Sequence, residues 1–85
     1  MQEEEQPTLR FSVVLDWDAE KQVWFTVIPE LNEMSVWGKT ADEAVANSRV
    51  AIMNAIQEAI DKGARINLDE TKVELAVLEV PLLSQ

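Results

Sequence analysis

The sequence predicts a two-layer α+β domain in which three strands precede one long helix and a fourth strand follows it. Three observations support this prediction: alternating apolar residues from Leu9 onward, a β-branched and aromatic run over Val23–Ile28, and a capped amphipathic stretch that begins at Thr40. A period of two is typical of a half-buried strand, and a period near 3.6 is typical of a helix. We expect the element order β-β-β-α-β, with an antiparallel sheet and the helix packed on one of its faces.

The first two strands are predicted to form a hairpin. Every second residue from Leu9 to Leu15 is apolar, which indicates a strand with one buried side. Residues 16–21 supply a polar connection, and Val23–Ile28 has the composition that strands favour. Because the connection is short, we expect the two strands to pair antiparallel.

The helix has the clearest local signal in the chain. Thr40 and Glu43 match a capping box, in which the Thr40 hydroxyl accepts from the Glu43 amide and the Glu43 side chain reaches back to the Thr40 amide. Gly63 can end the helix, because glycine readily adopts a left-handed conformation. The predicted buried stripe, which would cover one face of the sheet, consists of Ala41, Val45, Ser48, Ile52, Ile56, Ala59 and Ile60.

Two further strands complete the prediction. Pro29 ends the second strand, and residues 34–37 form a short third strand that Gly38 closes. Residues 64–72 are a linker, and residues 73–80 form the fourth strand. This last strand carries apolar side chains on both of its sides. We therefore expect that other parts of the chain cover both sides, or that one side forms a contact between subunits.

Composition narrows the chemistry that the chain could perform. Its 85 residues include 16 acids and 7 bases, a net charge of −9, with no histidine and no cysteine. The commonest general base and the commonest transition-metal ligands are therefore missing, and no basic cluster suits nucleic acid. We expect no cofactor and no metal. An acidic surface suits a basic protein partner, or it simply keeps a small protein in solution.

The chain reads as one domain with a short tail. Residues 1–8 are acidic and polar, so we expect a disordered tail there and a single domain over 9–85. The N-terminus has neither the basic start nor the apolar run of a signal peptide, and no apolar stretch is long enough to cross a membrane. We expect a cytoplasmic protein.

The order of these elements and the sequence motifs within them resemble those of the HicB antitoxin family. The second strand ends in Pro29-Glu30-Leu31, and the helix opens with Gly38-Lys39-Thr40, an acidic pair, an Ala-x-x-Asn at 44–47 and a basic residue at 49. The likeness covers about residues 9–66. It departs where the family has Pro-Gly, since Asn32-Glu33 stands here.

The resemblance implies a partial RNase H-like fold without nuclease activity, and assembly into homodimers or tetramers. It also implies a toxin partner of the HicA type, a small basic ribonuclease whose active site the antitoxin covers. Many members of the family add a C-terminal DNA-binding segment. The chain ends at Gln85, one strand after the helix, so we expect no operator binding and no direct contact with nucleic acid.

The residues that would contact such a partner are acids in and near the loops. The candidates are Asp16, Asp18, Glu20, Glu30 and Glu33. The first three also allow a second interpretation, a magnesium site of the RNase H kind, although a solvated acidic turn explains them more simply.

The tryptophans and the ends of the fourth strand are candidates for contacts between subunits. Tryptophan fills cores and is enriched at interface hot spots, so both roles stay open for Trp17, Trp24 and Trp37. Arg49 either lays its stem along the sheet or pairs with a carboxylate of a partner chain. The predicted oligomer contacts are Trp24, Trp37, Leu78 and Val80.

The sequence is compatible with three functions. The first is a non-enzymatic antitoxin that neutralises a basic HicA-type ribonuclease by covering it. The second is a solitary oligomeric domain, structural or regulatory, that has the same fold and no toxin. The third is a magnesium-dependent nuclease, which the missing histidine and the shortage of strand carboxylates argue against.

Overall fold

In a computed structural model, which describes residues 6–80, four strands form one sheet and one long helix packs against it. A 3-10 turn, Pro29–Leu31, separates the second strand from the third. The remaining elements are β1 (Thr8–Asp18), β2 (Val23–Ile28), β3 (Met34–Gly38), α1 (Ala41–Asp61) and β4 (Lys72–Glu79).

The sheet is mixed and has the strand order β3-β2-β1-β4. The α+β class and the order of elements are confirmed, but the prediction of a purely antiparallel sheet is wrong at β4, which runs parallel to β1. Two antiparallel pairings make β1 and β3 point the same way. Because α1 then returns the chain to the end of the sheet where β1 starts, Lys72 enters the sheet opposite Thr8 and β4 follows the direction of β1.

The core lies between α1 and one side of the sheet. Val13 and Ile28 from the sheet and Ile52 and Ile56 from the helix are buried and form its centre. Burying such a side chain contributes about 1.5–3 kcal/mol. The buried stripe predicted for the helix is therefore confirmed at its centre. We call the sheet side that holds Val13 the helix side, and the opposite side the open face.

Both ends of α1 are capped by local hydrogen bonds. The Thr40 hydroxyl accepts from the Glu43 amide at 3.0 Å, as predicted. The Glu43 carboxylate accepts from the Lys39 amide at 2.6 Å, one residue before the amide that the capping box predicted. At the other end, Gly63 has φ +109° and its amide donates to the Ile60 carbonyl at 3.0 Å. The chain thus leaves the helix through a left-handed glycine, as predicted.

Gly38 determines how closely the start of α1 approaches β3. A Cβ atom at this position would lie 2.7 Å from the Ala44 Cα, a distance that real side chains do not tolerate. Ala44 is itself fully buried. Glycine at the end of β3 is therefore required by space, since its backbone is not left-handed.

The predicted tail and the end of the domain fall mainly outside the described residues. Thr8, the last residue assigned to the tail, belongs to β1, so the strand begins one residue earlier than predicted. Residues 1–5 and 81–85 lie outside the described part of the chain.

Candidate protein-interaction surface

The open face of the sheet carries an apolar row across three strands. Successive side chains of a strand point to opposite sides, so Val14, between the buried Val13 and Leu15, points away from α1. The register places Val14 beside Val27 of β2 and Leu78 of β4. Leu78 is 55% exposed. The row therefore presents apolar surface on the side of the sheet that the helix leaves uncovered.

A second row on the open face ends at Trp37. The register places Trp37 of β3 beside Phe25 of β2, and Phe25 beside Asp16 of β1. The Phe25 and Trp37 rings lie 5.4 Å apart, and the Lys21 ammonium lies 4.8 Å from the Trp37 ring centre. A cation over an exposed indole contributes about 0.5–1 kcal/mol. Trp37 is 43% exposed, so its ring is held in one orientation while remaining accessible.

Two of the predicted partner-binding acids lie on this same face. Asp16 and Asp18 belong to β1 and pair with Phe25 and Val23, whereas the sequence placed them in the connection after the strand. That boundary was wrong because the β-branched and aromatic residues of β2 extend the ladder to Asp18. The two carboxylates therefore flank the aromatic end of the apolar surface.

The hairpin turn is organised by Asp18. Its carboxylate accepts from the Glu20 amide at 3.0 Å and from the Lys21 amide at 3.1 Å. The Gln22 amide donates to the Asp18 carbonyl at 2.7 Å, and Gln22 adopts a left-handed φ of 57°. These hydrogen bonds reverse the chain direction between β1 and β2, as an Asn-Gly turn often does in hairpins. The turn leaves Glu20 exposed at the tip.

Glu30 has a structural task within the chain. β2 pairs with β1 only from Val14 to Asp18, so the backbone of Ser12 lies beyond the end of that ladder. The Glu30 carboxylate accepts from the Ser12 amide and from the Ser12 hydroxyl, each at 2.9 Å. The Ser12 amide, more than any other group, holds the pKa of Glu30 below its ordinary value of 4.5. Both carboxylate oxygens are thus engaged by the chain's own strand.

Glu33 lies in the tight turn that leads into β3. Asn32 and Glu33 both have φ 58°, a left-handed conformation that is uncommon outside glycine. The two residues close the connection between the 3-10 turn and β3. Glu33 is exposed at the β3 edge of the sheet, away from Asp16 and Asp18 on β1.

At the opposite end of β1, the open face is bordered by an ion-paired group. Arg10 Nε lies 3.0 Å from one Glu74 oxygen, and Lys72 Nζ lies 3.1 Å from the other. Lys72 first, and then Arg10, hold the pKa of Glu74 below its ordinary value by hydrogen bonding to the carboxylate. The open face therefore has acids at its aromatic end and a charge-paired border at its other end.

The predicted oligomer contacts divide between the two sides of the sheet. Trp37 and Leu78 lie on the open face. Trp24 does not, because it pairs with Trp17 and with Gly38, which faces α1. The two indoles lie 5.4 Å apart and are half-buried. Trp24 therefore lies on the side of the sheet that α1 covers.

Sequence reasoning missed the residues that make the open face apolar. Val14 occupies a position of β1 where alternation calls for a polar residue, and β2 is apolar at Phe25 and Val27 as well as on its other side, which is the signal that would have revealed them. A strand with one wet side alternates apolar and polar residues, and a strand that departs from alternation has apolar groups on both sides.

Within residues 6–80, no group of three or more acidic, histidine or cysteine side chains is arranged to hold a metal ion. Asp16, Asp18 and Glu20 follow one another along a single hairpin. In the same part of the chain, no helix combines the length and the apolar composition needed to cross a membrane.

Comparisons with family models, with curated proteins and with solved structures yield no match to this chain.

Proposed function

We propose that this chain is a non-enzymatic protein-binding module of the HicB antitoxin type, which neutralises a basic HicA-type ribonuclease by covering it. The observation that supports this most directly is the open face, where the accessible indole of Trp37 lies beside Phe25 and Asp16. An aromatic anchor beside charged groups is the usual composition of an interface hot spot.

The charge of the chain supports a basic partner. With a net charge of −9, the chain attracts a cationic protein and repels nucleic acid. Asp16 and Asp18 would take the positions on the ribonuclease that RNA phosphates otherwise occupy. Such steering raises the association rate and weakens as salt increases, since the screening length is about 8 Å at physiological ionic strength.

Neutralisation by covering requires surface and no chemistry from this chain. The apolar row through Val14, Val27 and Leu78 supplies area that loses water on binding. The acidic side chains orient the partner, because a complex that places like charges together is less stable. Under this proposal the chain acts in the cytoplasm, alone or as an oligomer, and uses neither a cofactor nor a metal.

A second function, that of a solitary oligomeric domain without a toxin, is favoured by one observation. β4 lies at the edge of the sheet and exposes Val77, Leu78 and Val80. An exposed apolar edge is a site of pairing between chains. Leu78 belongs to both surfaces, but self-assembly centres on the β4 edge and toxin binding on Trp37 of β3, so variants at those two places separate the functions.

The test is a titration of the chain into the product of an adjacent reading frame, which the proposal requires to be a small basic ribonuclease. We expect a stable complex and loss of RNA cleavage at stoichiometric amounts. Trp37→Ala should weaken binding by about 2 kcal/mol, the scale of a hot spot. Val50→Ala is the matched control, since Val50 is 58% exposed on α1 and lies on the other layer of the fold.

A second set of variants tests the contribution of the acidic side chains to association with the partner. Asp16→Asn with Asp18→Asn should slow association and flatten its salt dependence, while the asparagine oxygen keeps the hairpin turn. Asp42→Asn with Asp61→Asn removes the same charge from α1 and should leave the association rate nearly unchanged. Equal effects of the two pairs, or a dissociation constant that Trp37→Ala leaves unchanged, would refute the proposal. So would RNA cleavage by the purified chain.

A further inference from the structure

We infer that the outer edge of β4 pairs with the same edge of a second copy of this chain, antiparallel, about a two-fold axis at Ala76. This inference names one interface and its register. It does not depend on the proposed ribonuclease partner.

Within residues 6–80, the backbone groups on the outer edge of β4 have no strand partner. The Lys72 amide donates to the Pro7 carbonyl at 2.8 Å and the Val80 amide to the Leu15 carbonyl at 2.9 Å, so even-numbered residues of β4 face β1. Odd-numbered residues therefore direct their N–H and C=O groups outward, and no strand within residues 6–80 pairs with them. These residues are Val73, Leu75, Val77 and Glu79.

The helix leaves this strand uncovered on its own side as well. α1 packs on β3, β2 and β1, and a groove of about 580 Å³ remains between its first half and β4. Leu15, Val45, Ala46 and Val77 line the apolar part of the groove. Val77 is 45% exposed there, although it lies on the helix side, where its counterpart Val13 is fully buried.

The pattern of β4 fits a second copy of itself. Edge strands usually carry a charge or a proline in their middle to prevent pairing, but residues 75–78 of β4 are all apolar. The charged residues Lys72, Glu74 and Glu79 lie on either side of this segment, and Lys72 is paired with Glu74. Antiparallel pairing about Ala76 sets each of these charged residues opposite an apolar residue of the other copy, whereas parallel in-register pairing would set Glu74 beside Glu74 and Glu79 beside Glu79.

The register follows from the length of the bonded segment. β4 is held against β1 from Lys72 to Val80, and the middle of that span is Ala76. An axis there pairs Leu75 of one copy with Val77 of the other, using the outward backbone groups of both. Ala76 meets its own counterpart in a close, non-hydrogen-bonded pair, where a small side chain fits.

This geometry fixes how the two open faces relate. An antiparallel pair of identical strands is related by an axis perpendicular to the sheet, so both copies keep α1 on one side. The open faces then lie side by side on the other side of a continuous sheet. If the proposed function holds, each dimer presents two equivalent surfaces to its basic partners.

Disulfide crosslinking tests the axis directly, because the chain has no cysteine. In Ala76→Cys the two thiols meet: the Cα atoms of such a pair lie roughly 4.5 Å apart, within the roughly 4.4–6.8 Å that a disulfide spans. We expect rapid formation of covalent dimers under mild oxidation. Val50→Cys, exposed on α1, is the control and should crosslink far more slowly.

Sedimentation of two cysteine-free variants completes the test. Val77→Lys places a charge in the middle of the edge and should weaken self-association at least about tenfold, a difference of about 1.4 kcal/mol. Trp37→Ala should leave it unchanged. Crosslinking of Ala76→Cys no faster than of Val50→Cys, or a dimer that survives Val77→Lys, would overturn the inference. The ribonuclease titration uses Trp37 instead, so the two proposals fail separately.

Discussion

The hydroxyls of Thr26 and Ser48 lie 2.5 Å apart in the interior, joining β2 to the middle of α1. Both residues are fully buried. Because the Ser48 hydroxyl donates to the Ala44 carbonyl at 2.9 Å, the Thr26 hydroxyl is the donor in the bond between them. This polar pair fixes the position of the helix along the sheet, which apolar contacts alone do not specify.

Removal of one hydroxyl of this pair should be costly. We expect Ser48→Ala to lower the free energy of unfolding by about 1–3 kcal/mol, because it leaves the buried Thr26 hydroxyl with only a long contact to the Val36 carbonyl. The double variant Thr26→Val with Ser48→Ala should cost less than the two single changes added together. Urea unfolding of the four proteins measures this. Strict additivity would mean that the pair is not coupled.

Gly38→Ala should destabilise the fold through lack of space. The added methyl meets backbone atoms of Glu43 and Ala44, which cannot move without displacing the start of α1. We expect a loss of about 1–3 kcal/mol or more, in the range of overpacked interiors. Ser35→Ala, an exposed change on the same strand, should shift the thermal midpoint little. A neutral result at Gly38 would contradict the close helix–strand approach.

Gly63→Ala should destabilise for a different reason. No atom lies within 4 Å of the added Cβ, but the backbone φ of +109° is unfavourable for any L side chain. The expected loss is about 1–2 kcal/mol, and it comes from the backbone alone. Helicity followed by circular dichroism should show an earlier loss of α1 on heating. If Gly63→Ala were as stable as the parent, the left-handed cap would be wrong.

The bond from Glu30 to Ser12 makes part of the stability depend on pH. The folded-state pKa of Glu30 lies below its ordinary 4.5, so its contribution is complete above that value and is lost as pH falls through the folded pKa. Compared with Glu30→Gln, the parent should be more stable near neutral pH, and the difference should shrink below pH 4.5. Denaturation of both proteins across this range is the measurement. A difference that stays constant with pH would show that the charge on Glu30 does not matter.

Local signals predicted much of the fold. The bounds of β2 and the Thr40 cap follow from composition and spacing, because each depends on residues that are neighbours in sequence. The direction of β4 does not, since it is set by where α1 and the following linker deliver the chain. Local signals also do not predict the side of the sheet on which Trp24 lies. That side depends on the register with Trp17, across a turn that lacks a standard hairpin sequence.

The candidate surface was predicted less completely than the fold. Acidic residues are visible in a sequence, and Asp16 and Asp18 do lie on the open face. Glu30 has the same charge, but its carboxylate accepts a hydrogen bond from the Ser12 amide, which β2 leaves unpaired. No sequence pattern indicates that this amide lacks a strand partner. The position of Trp37 next to Phe25 required the pairing of β2 with β3.

The most direct test of the proposed recognition through the open face is methyl NMR of the labelled chain during titration with the proposed partner, a basic ribonuclease. Val14, Val27 and Leu78 report on the open face, Val50 on the exposed side of α1, and Ile52 on the core. The account predicts that the first three resonances shift or broaden at stoichiometric partner while Val50 stays in place. Perturbation of Val50 with Val14, Val27 and Leu78 unchanged would contradict it.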